Sequence, residues 1–380
     1  MFLSGFFSRH EKIVVIVDIG SASASVSVVS LQKASPARVL ASHRASVAME
    51  DRIPDHAAAA LGNAIAEASQ KVLALYTKHE APQDVFAIVR APWTVSVSER
   101  VAQVFPTETK VTNEMIGSMA KTVLAQAHDL DTKNLLEAKV IRIELDGYAT
   151  QKPSGKRART VSISALLTTV QPSIREICER ALNTAFPAHK VKFRSHTRAL
   201  LMIASQTERY ADTVMVDMAS EGTGITSVKR GVVSSVELDV GMQSILATIG
   251  NGPPEETLAV MQMLEDEKCE TDACRAVADA LGRAEPELAR KFGESFGQLA
   301  KSGHLQNDLL LLVHPHIAPW LSRFLARIDF SQFTSTTRPF VVHVLSSHDM
   351  LRFVQTEHGV TIDTSASVAI AHVHIEEGIN

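Results

Sequence analysis

Two stretches about 200 residues apart decide the fold: Ile13–Ser27 reads IVVIVDIGSASASVS, and Asp212–Ser227 reads DTVMVDMASEGTGITS. Each is a β-branched, apolar run that ends on an aspartate, followed by small residues and a second apolar run. The pattern predicts a buried strand, a tight turn and an antiparallel return strand. Glycine in such a turn lets the backbone approach a ligand closely. Successive amides and small hydroxyls can then cradle phosphate oxygens. A carboxylate at the strand end suits magnesium, which takes one or two carboxylates plus phosphates and waters. The residues predicted to serve this chemistry are Asp18, Gly20, Ser21 and Ser23 in the first copy, and Asp217, Gly222 and Thr223 in the second. Asp18 and Asp217 are the expected magnesium ligands wherever a nucleotide binds. Two copies predict two related halves facing one cleft.

The rest of the composition narrows the class. A chain of 380 residues fits about two domains and can bury a core without staples. A net charge of −4 gives no sign of a nucleic-acid surface. Three cysteines, Cys178, Cys269 and Cys274, point to reduced thiols and a cytoplasmic setting. No run approaches the ~20 apolar residues of a membrane span. The start, MFLSGFFSRHEK, places Phe2, Leu3, Phe6 and Phe7 ahead of a basic residue, so it reads as a tail or as a small apolar handle for a membrane surface or a partner.

Strands are predicted at Ile13–Val17, Ser23–Leu31 and Arg38–Val47, then a helix to about Lys78 with Leu61, Ile65, Ala68, Val72 and Leu75 on one face. The span 85–170 reads as a small α+β inset with turns at Asp146-Gly147 and around Pro153–Gly155. Residues 13–84 and 171–210 are expected to form one lobe, and 211–254 with 330–380 the other. Residues 255–329 read as an almost wholly helical subdomain, and Gly359–Ile375 as strand-rich, which would put His372 and His374 on one face. The basic loop Lys152–Arg159 reads as a solvated hairpin tip or a contact for anionic partners.

This order resembles the actin, sugar-kinase and heat-shock-protein-70 superfamily, a duplicated α/β ATPase fold of the ribonuclease H type with two lobes. DIGSAS at Asp18–Ser23 is similar to its first phosphate motif, and VDMASEGTGI at Val216–Ile225 holds the position of its second. HVLSSHDML at His343–Leu351 holds the position of its adenosine motif, which makes Ser346 and Ser347 candidate base contacts. The stretch LDGYATQKPSGKRARTVSISALL resembles the inset of FtsA, the cell-division actin homologue. The opening leader is more similar to that of PilM, the cytoplasmic protein of type IV pilus machinery.

The resemblance implies ATP and magnesium as cofactors, but the motifs depart from it. Ala219, Ser220 and Glu221 replace three glycines of the second loop, Gly224 replaces its acid, and serines replace the adenosine glycines. A carboxylate 4 Å from a phosphate charge would cost about 4 kcal/mol at an effective dielectric of 20. The expectation is therefore a scaffold with a degenerate nucleotide site, doubtful hydrolysis and no assignable catalytic residue. FtsA-like division adaptor is the first reading, a PilM-like pilus platform the second, an active ATPase or small-molecule kinase the third. The implied partners are proteins of a membrane-associated assembly and further copies of the chain, with no nucleic acid. The implied location is the cytoplasm, peripheral at the inner face of the membrane through Phe2–Phe7. FtsA relatives end in an amphipathic helix that this sequence does not show, which tilts the reading toward PilM.

Overall fold

The computed structural model describes residues 11–48, 51–52, 54–77, 80–127, 130–187, 189–206, 212–229, 232–250, 252–266, 269–301 and 303–378. The apolar leader at Phe2–Phe7 and the turn at Arg230-Gly231 lie outside them. The chain divides into two units: residues up to 90, 172–203 and from 346 onward in one, 91–171 and 204–345 in the other.

In the first unit, strands β1 (Lys12–Ile19), β2 (Ser23–Leu31) and β3 (Ala37–Ser46) form an antiparallel meander. Strand β4 (Asp84–Val89) then runs parallel to β1, and β9 (Val191–Ser195) parallel to β4. β1 reads KIVVIVDI with seven buried residues, the near-continuous apolar run of a strand covered on both faces. Helix α1 (Pro54–Leu75) buries Leu61, Ile65, Ala68 and Val72, while Leu75 stays exposed at its end. Gly62 is there for proximity: a Cβ would sit 2.5 Å from Ile177 of α3 (Pro172–Ala185). Strand β15 (Val354–Thr356) completes the order β15-β3-β2-β1-β4-β9.

In the second unit, β10 (Thr213–Met218), β11 (Thr223–Lys229) and β12 (Val232–Leu238) repeat the meander. Strands β13 (Asp308–Leu312) and β14 (Val341–Val344) add in parallel, giving β12-β11-β10-β13-β14. That matches β3-β2-β1-β4-β9 strand for strand, so the duplicated motif heads a duplicated sheet. Helices α5 (Met242–Ile249), α6 (Pro254–Glu265), α7 (Asp272–Ala300) and α8 (Ala318–Arg327) enclose a core centred on Phe292, Phe296 and Phe324. The inset is a sheet of order β5-β8-β6-β7, formed by β5 (Thr94–Lys110), β6 (Leu135–Leu145), β7 (Tyr148–Ala149) and β8 (Arg157–Val170). Helix α2 (Asn113–Gln126) covers one of its faces through Met119 and Val123. Asp146, Gly147 and Gly155 all take positive φ, as the turn signals require.

Several expectations are corrected. Strand β13 lies within the span expected to be almost wholly helical; its LLLL run has no period because both faces are covered. Gly359–Ile375 is not strand-rich but contains most of helix α10 (Thr364–Gly378), in which every residue from Thr364 to Val373 is buried. A helix buried all round shows no amphipathic stripe, and its serines and alanines let neighbours close on every side. His372 and His374, two positions apart on a helix, do not share a face. Residues from Ser346 onward belong with the first unit rather than the second, and β4 pairs with β1 rather than with the inset. Finally, Cys269 and Cys274 are bonded, with Cα atoms 5.7 Å apart, while Cys178 remains a buried free thiol.

Candidate functional site

Strand β1 delivers Asp18 to its carboxyl end, and the turn closes with Gly20 N–H donating to the Ser23 carbonyl at 3.0 Å. Asp18 is not presented to a ligand. It is only 2% exposed. Its register partner on β2 is Ser25, whose partner on β3 is Arg44. With only a serine between them, the guanidinium of Arg44 reaches across the sheet to Asp18 Oδ2 at 3.2 Å. Arg44 also donates to Ser23 Oγ at 2.6 Å and pairs with Asp363 at 2.6 Å. From the start of α10, Ser365 donates its hydroxyl to Asp18 Oδ2 at 2.8 Å and accepts from Arg90 at 2.8 Å. His196, at the start of α4 (His196–Ser205), lies 3.5 Å from the same hydroxyl.

Burial alone would raise the Asp18 pKa, but the charges of Arg90, Arg44 and His196 and the Ser365 hydroxyl outweigh it and hold the carboxyl below its ordinary value. Asp18 is thus an ionised internal counter-ion. Arg44 lies against two carboxylates, Asp18 and Asp363, so its charge is already engaged within the cluster. A dication fits poorly there. It would enter beside the Arg44 guanidinium, and two unit charges at 4 Å already repel by about 4 kcal/mol at an effective dielectric of 20. The residues present therefore do not fit magnesium at Asp18. Two acceptors remain in the turn: Asp18 Oδ1 and Ser21 Oγ are buried without a hydrogen-bond partner.

The second copy is closed by its own backbone. In the turn after β10, Ala219 N–H donates to the Gly222 carbonyl at 2.9 Å. The carbonyls of Ala219 and Ser220 accept from the N–H groups of Met242 and Gln243, both at 2.9 Å. Those are the leading amides of α5, the groups a helix would offer to an anion. Gly241, which caps α5, makes this docking possible: a Cβ there would overlap the backbone of Ser220, Glu221 and Gly222. Thr223 is buried, and its hydroxyl is spent on the Val240 carbonyl at 2.6 Å. Asp217 is half-buried in a row with Gly224 and Glu237. Glu237 keeps more than a third of its surface exposed, yet desolvation raises its carboxyl to about 7.

Ser346 and Ser347 are also committed locally. Ser346 caps the short helix α9 (Ser347–Met350) in a reciprocal box with Asp349, and Ser347 Oγ lies 3.2 Å from Thr364 Oγ1. His372 and His374 join no ligand set, since the described residues hold no group of three or more potential metal ligands. Burial holds His372 neutral, with its pKa pushed down to about 3, Arg198 and Arg194 assisting against the carboxylate of Glu376. Glu376 in turn is gripped by Arg194 and Arg198, each at 2.8 Å.

The structure brings Asp18, Gly20, Ser21 and Ser23 into one turn and Asp217, Gly222 and Thr223 into another, with Ser346 and Ser347 at the head of a helix. Reading the sequence missed Arg44, Arg90, Asp363, Ser365 and Gly241. Only Arg44 had a usable signal, because a meander register sets it two strands from Asp18 over a small residue. A groove of about 660 Å³ between α7 and residues 328–333 contains none of the predicted site residues.

No protein-family model matches this chain, and no curated protein matches it. Solved structures do. A chain of a PilM–PilN type IV pilus biogenesis complex aligns at TM-score 0.56 and 11% identity, over 97% of this chain and 98% of that one. A diol dehydratase-reactivating factor in nucleotide-free form aligns at TM-score 0.48 and 8% identity, over 97% and 100%. The ethanolamine utilization protein EutJ from Carboxydothermus hydrogenoformans aligns at TM-score 0.42 and 14% identity, over 95% and 89%. At such identities the likeness is one of fold, and the first match carries it: the chain has the actin-like ATPase fold.

Proposed function

We propose that this chain is a PilM-like platform: an actin-fold protein that works by holding other proteins of a membrane-associated assembly, with its nucleotide motifs turned into internal joints. The observation that carries this reading is the burial of Asp18 with its Oδ2 held by Arg44 and Ser365. An ATPase needs that carboxylate free for a hydrated metal and needs positive charge left over for the transferring phosphate. Here that carboxylate is buried and engaged by a guanidinium, and the second turn spends the carbonyls of Ala219 and Ser220 on the leading amides of α5. What supports the pilus-type reading is the alignment over nearly the whole length with a chain from a complex of pilus biogenesis. The division adaptor suggested by the inset is the second reading. Among the described residues no helix is long and apolar enough to cross a membrane, so membrane contact would fall to Phe2–Phe7 or to a partner.

Calorimetric titration with ATP and magnesium is the direct test. No binding heat is expected up to millimolar nucleotide, while affinity capture from the native host should recover a component of a membrane-bound assembly. Micromolar ATP binding that disappears in Asp18→Ala would overturn the proposal. Co-sedimentation with anionic liposomes, with and without residues 1–9, reads the membrane contact separately.

A further inference from the structure

One end of the inset sheet carries a charge pattern that works against the sheet's own stability. Strand β5 ends there, β8 begins there, and the β6–β7 turn and the loop 150–156 lie beside them. Residues 107–114 and 146–160 hold five basic side chains, Lys110, Lys152, Lys156, Arg157 and Arg159, against three acids, Glu108, Glu114 and Asp146. The chain as a whole is acidic, at −4. All five basic residues are exposed.

Lys110 and Arg157 stand directly opposite each other in the β5–β8 ladder. Like charges in that position destabilise a sheet. Arg159 adds to them. Val111 and Ala158 belong to the apolar cluster under α2, so strand alternation puts Lys110, Arg157 and Arg159 on the other face. The nearby acids do little to offset this. Glu108 approaches Arg157 only to 3.9 Å, with both side chains more than half exposed, a pair that contributes little in water. Asp146 Oδ1 accepts from the amides of Arg159 and Thr160 at 2.9 and 2.7 Å. Lys110, Lys152 and Arg159 have no side-chain ion pair among the described residues. The loop is nonetheless held in place. Gly155 N–H donates to the Val111 carbonyl at 2.9 Å, and Val111 N–H donates to the Lys156 carbonyl at 2.8 Å. Lys156 Nζ donates to Thr150 Oγ1 at 2.9 Å.

An anion placed against this end offsets the Lys110–Arg157 repulsion that the fold tolerates. The end is a protrusion without a cleft: residues 146–149, 151–152 and 154–157 are all exposed. A single carboxylate or phosphate would call for a fixed, bidentate arginine fork. Five long cationic side chains spread around a turn suit a broad layer of negative charge, and clusters of this size suit anionic headgroups. Tyr148, 80% exposed at the edge of the same end, is amphipathic and of the type that rests at a membrane interface.

We propose that this end of the inset is a contact for an anionic lipid surface, made by Lys110, Lys152, Lys156, Arg157 and Arg159 with Tyr148 at their flank. The contact lies wholly within the second unit and is distinct from the Phe2–Phe7 leader. It does not rest on the platform reading: ATP binding would overturn that reading and leave this one standing.

The test is co-sedimentation of the full chain with phosphatidylcholine vesicles, with and without phosphatidylserine. Binding is expected to the anionic vesicles and should weaken as added salt shortens the screening length. The combined variant Lys110→Gln, Lys152→Gln, Lys156→Gln, Arg159→Gln should lose roughly tenfold or more in vesicle affinity. Lys110→Gln alone should weaken vesicle binding and also raise Tm, because it removes the like-charge pair. A merely solvated turn would show the second effect without the first. Deleting residues 1–9 should leave the preference for anionic over neutral vesicles in place. A full chain that pellets equally with both vesicle types, or with neither, overturns the proposal. So does a combined variant with the parent's circular dichroism and undiminished vesicle binding. Basic residues needed to capture an acidic protein but not to bind anionic vesicles would overturn it as well.

Discussion

Substituting Asp18 separates a structural joint from a ligand site. In Asp18→Ala the guanidinium of Arg44 loses its 3.2 Å partner, and the Arg90–Ser365 contact loses the carboxylate it supports. Breaking a buried ion pair from one side costs about 3–5 kcal/mol, since the other charge stays uncompensated. Arg44 retains Asp363, and about a third of its side chain reaches water, so the low end applies. About 3 kcal/mol corresponds to roughly 6–12 °C in Tm for a unit of this size. The same joint has an acid signature. A carboxyl held below its unfolded value contributes stability above the unfolded pKa and loses it as pH falls through the folded one. Parent and variant stability curves should therefore converge below about pH 4. Scanning calorimetry of both proteins between pH 2.5 and 8 reads both effects. An unchanged Tm at pH 7 would refute the reasoning, most plainly if the same variant lost a measurable affinity for ATP.

Other substitutions probe the remaining joints. Gly241→Ala forces the α5 cap away from residues 220–222 and should lower Tm by a clear margin, whereas Gly117→Ala, whose Cβ would meet nothing within 4 Å, should leave it equal or higher. Glu376→Gln frees Arg194 and Arg198 and should cost about 3 kcal/mol at pH 7 by denaturant titration, with the gap narrowing toward pH 2, where the parent carboxyl itself titrates. His372 is buried neutral with a pKa near 3, so the unfolded chain binds its proton first as pH falls below about 6.5. The parent should lose about 2 kcal/mol between pH 6.5 and 5, and His372→Leu should flatten that slope. Glu237, raised to about 7 by desolvation, works the other way: its share of stability falls as pH climbs from 4.5 through 7, and Glu237→Gln should remove that decline in a thermal-shift series.

The duplicated hairpins were legible because β1 and β10 carry their signal in consecutive residues: an apolar run, an aspartate, small residues. The inset turns were legible for the same reason, since Asp146-Gly147 and Gly155 need local φ values that few residues adopt. Strand β13 and helix α10 were not, because each is covered all round and burial on every side erases the period that tells strand from helix. The joints were hidden for a different reason. Asp18 and Ser365 are 347 positions apart, and nothing in either neighbourhood announces the other. Gly241 heads α5, and nothing in its sequence neighbourhood announces the turn at 220–222 that lies against it.

The two turns are held by unlike means, one through side chains and one through backbone. In the first, polar chemistry is intact: aspartate, glycine and serines all remain. Around it, Arg44 and Arg90 supply positive charge to the Asp18 carboxylate. In the second, the polar chemistry itself is thinned, and the turn hydrogen-bonds to α5 through its backbone. The side-chain joint is open to substitution at Arg44, the backbone joint at Gly241. If any ligand chemistry can be recovered, it is in the first copy, where Asp18 Oδ1 and Ser21 Oγ still lack partners. Replacing Arg44 with methionine, which keeps the stem and removes the charge, is the substitution that would expose Asp18 to a cation. A gain of magnesium binding in Arg44→Met, absent from the parent and from the Arg44→Met, Asp18→Asn double variant, would identify the arginine as the group that keeps a cation from Asp18.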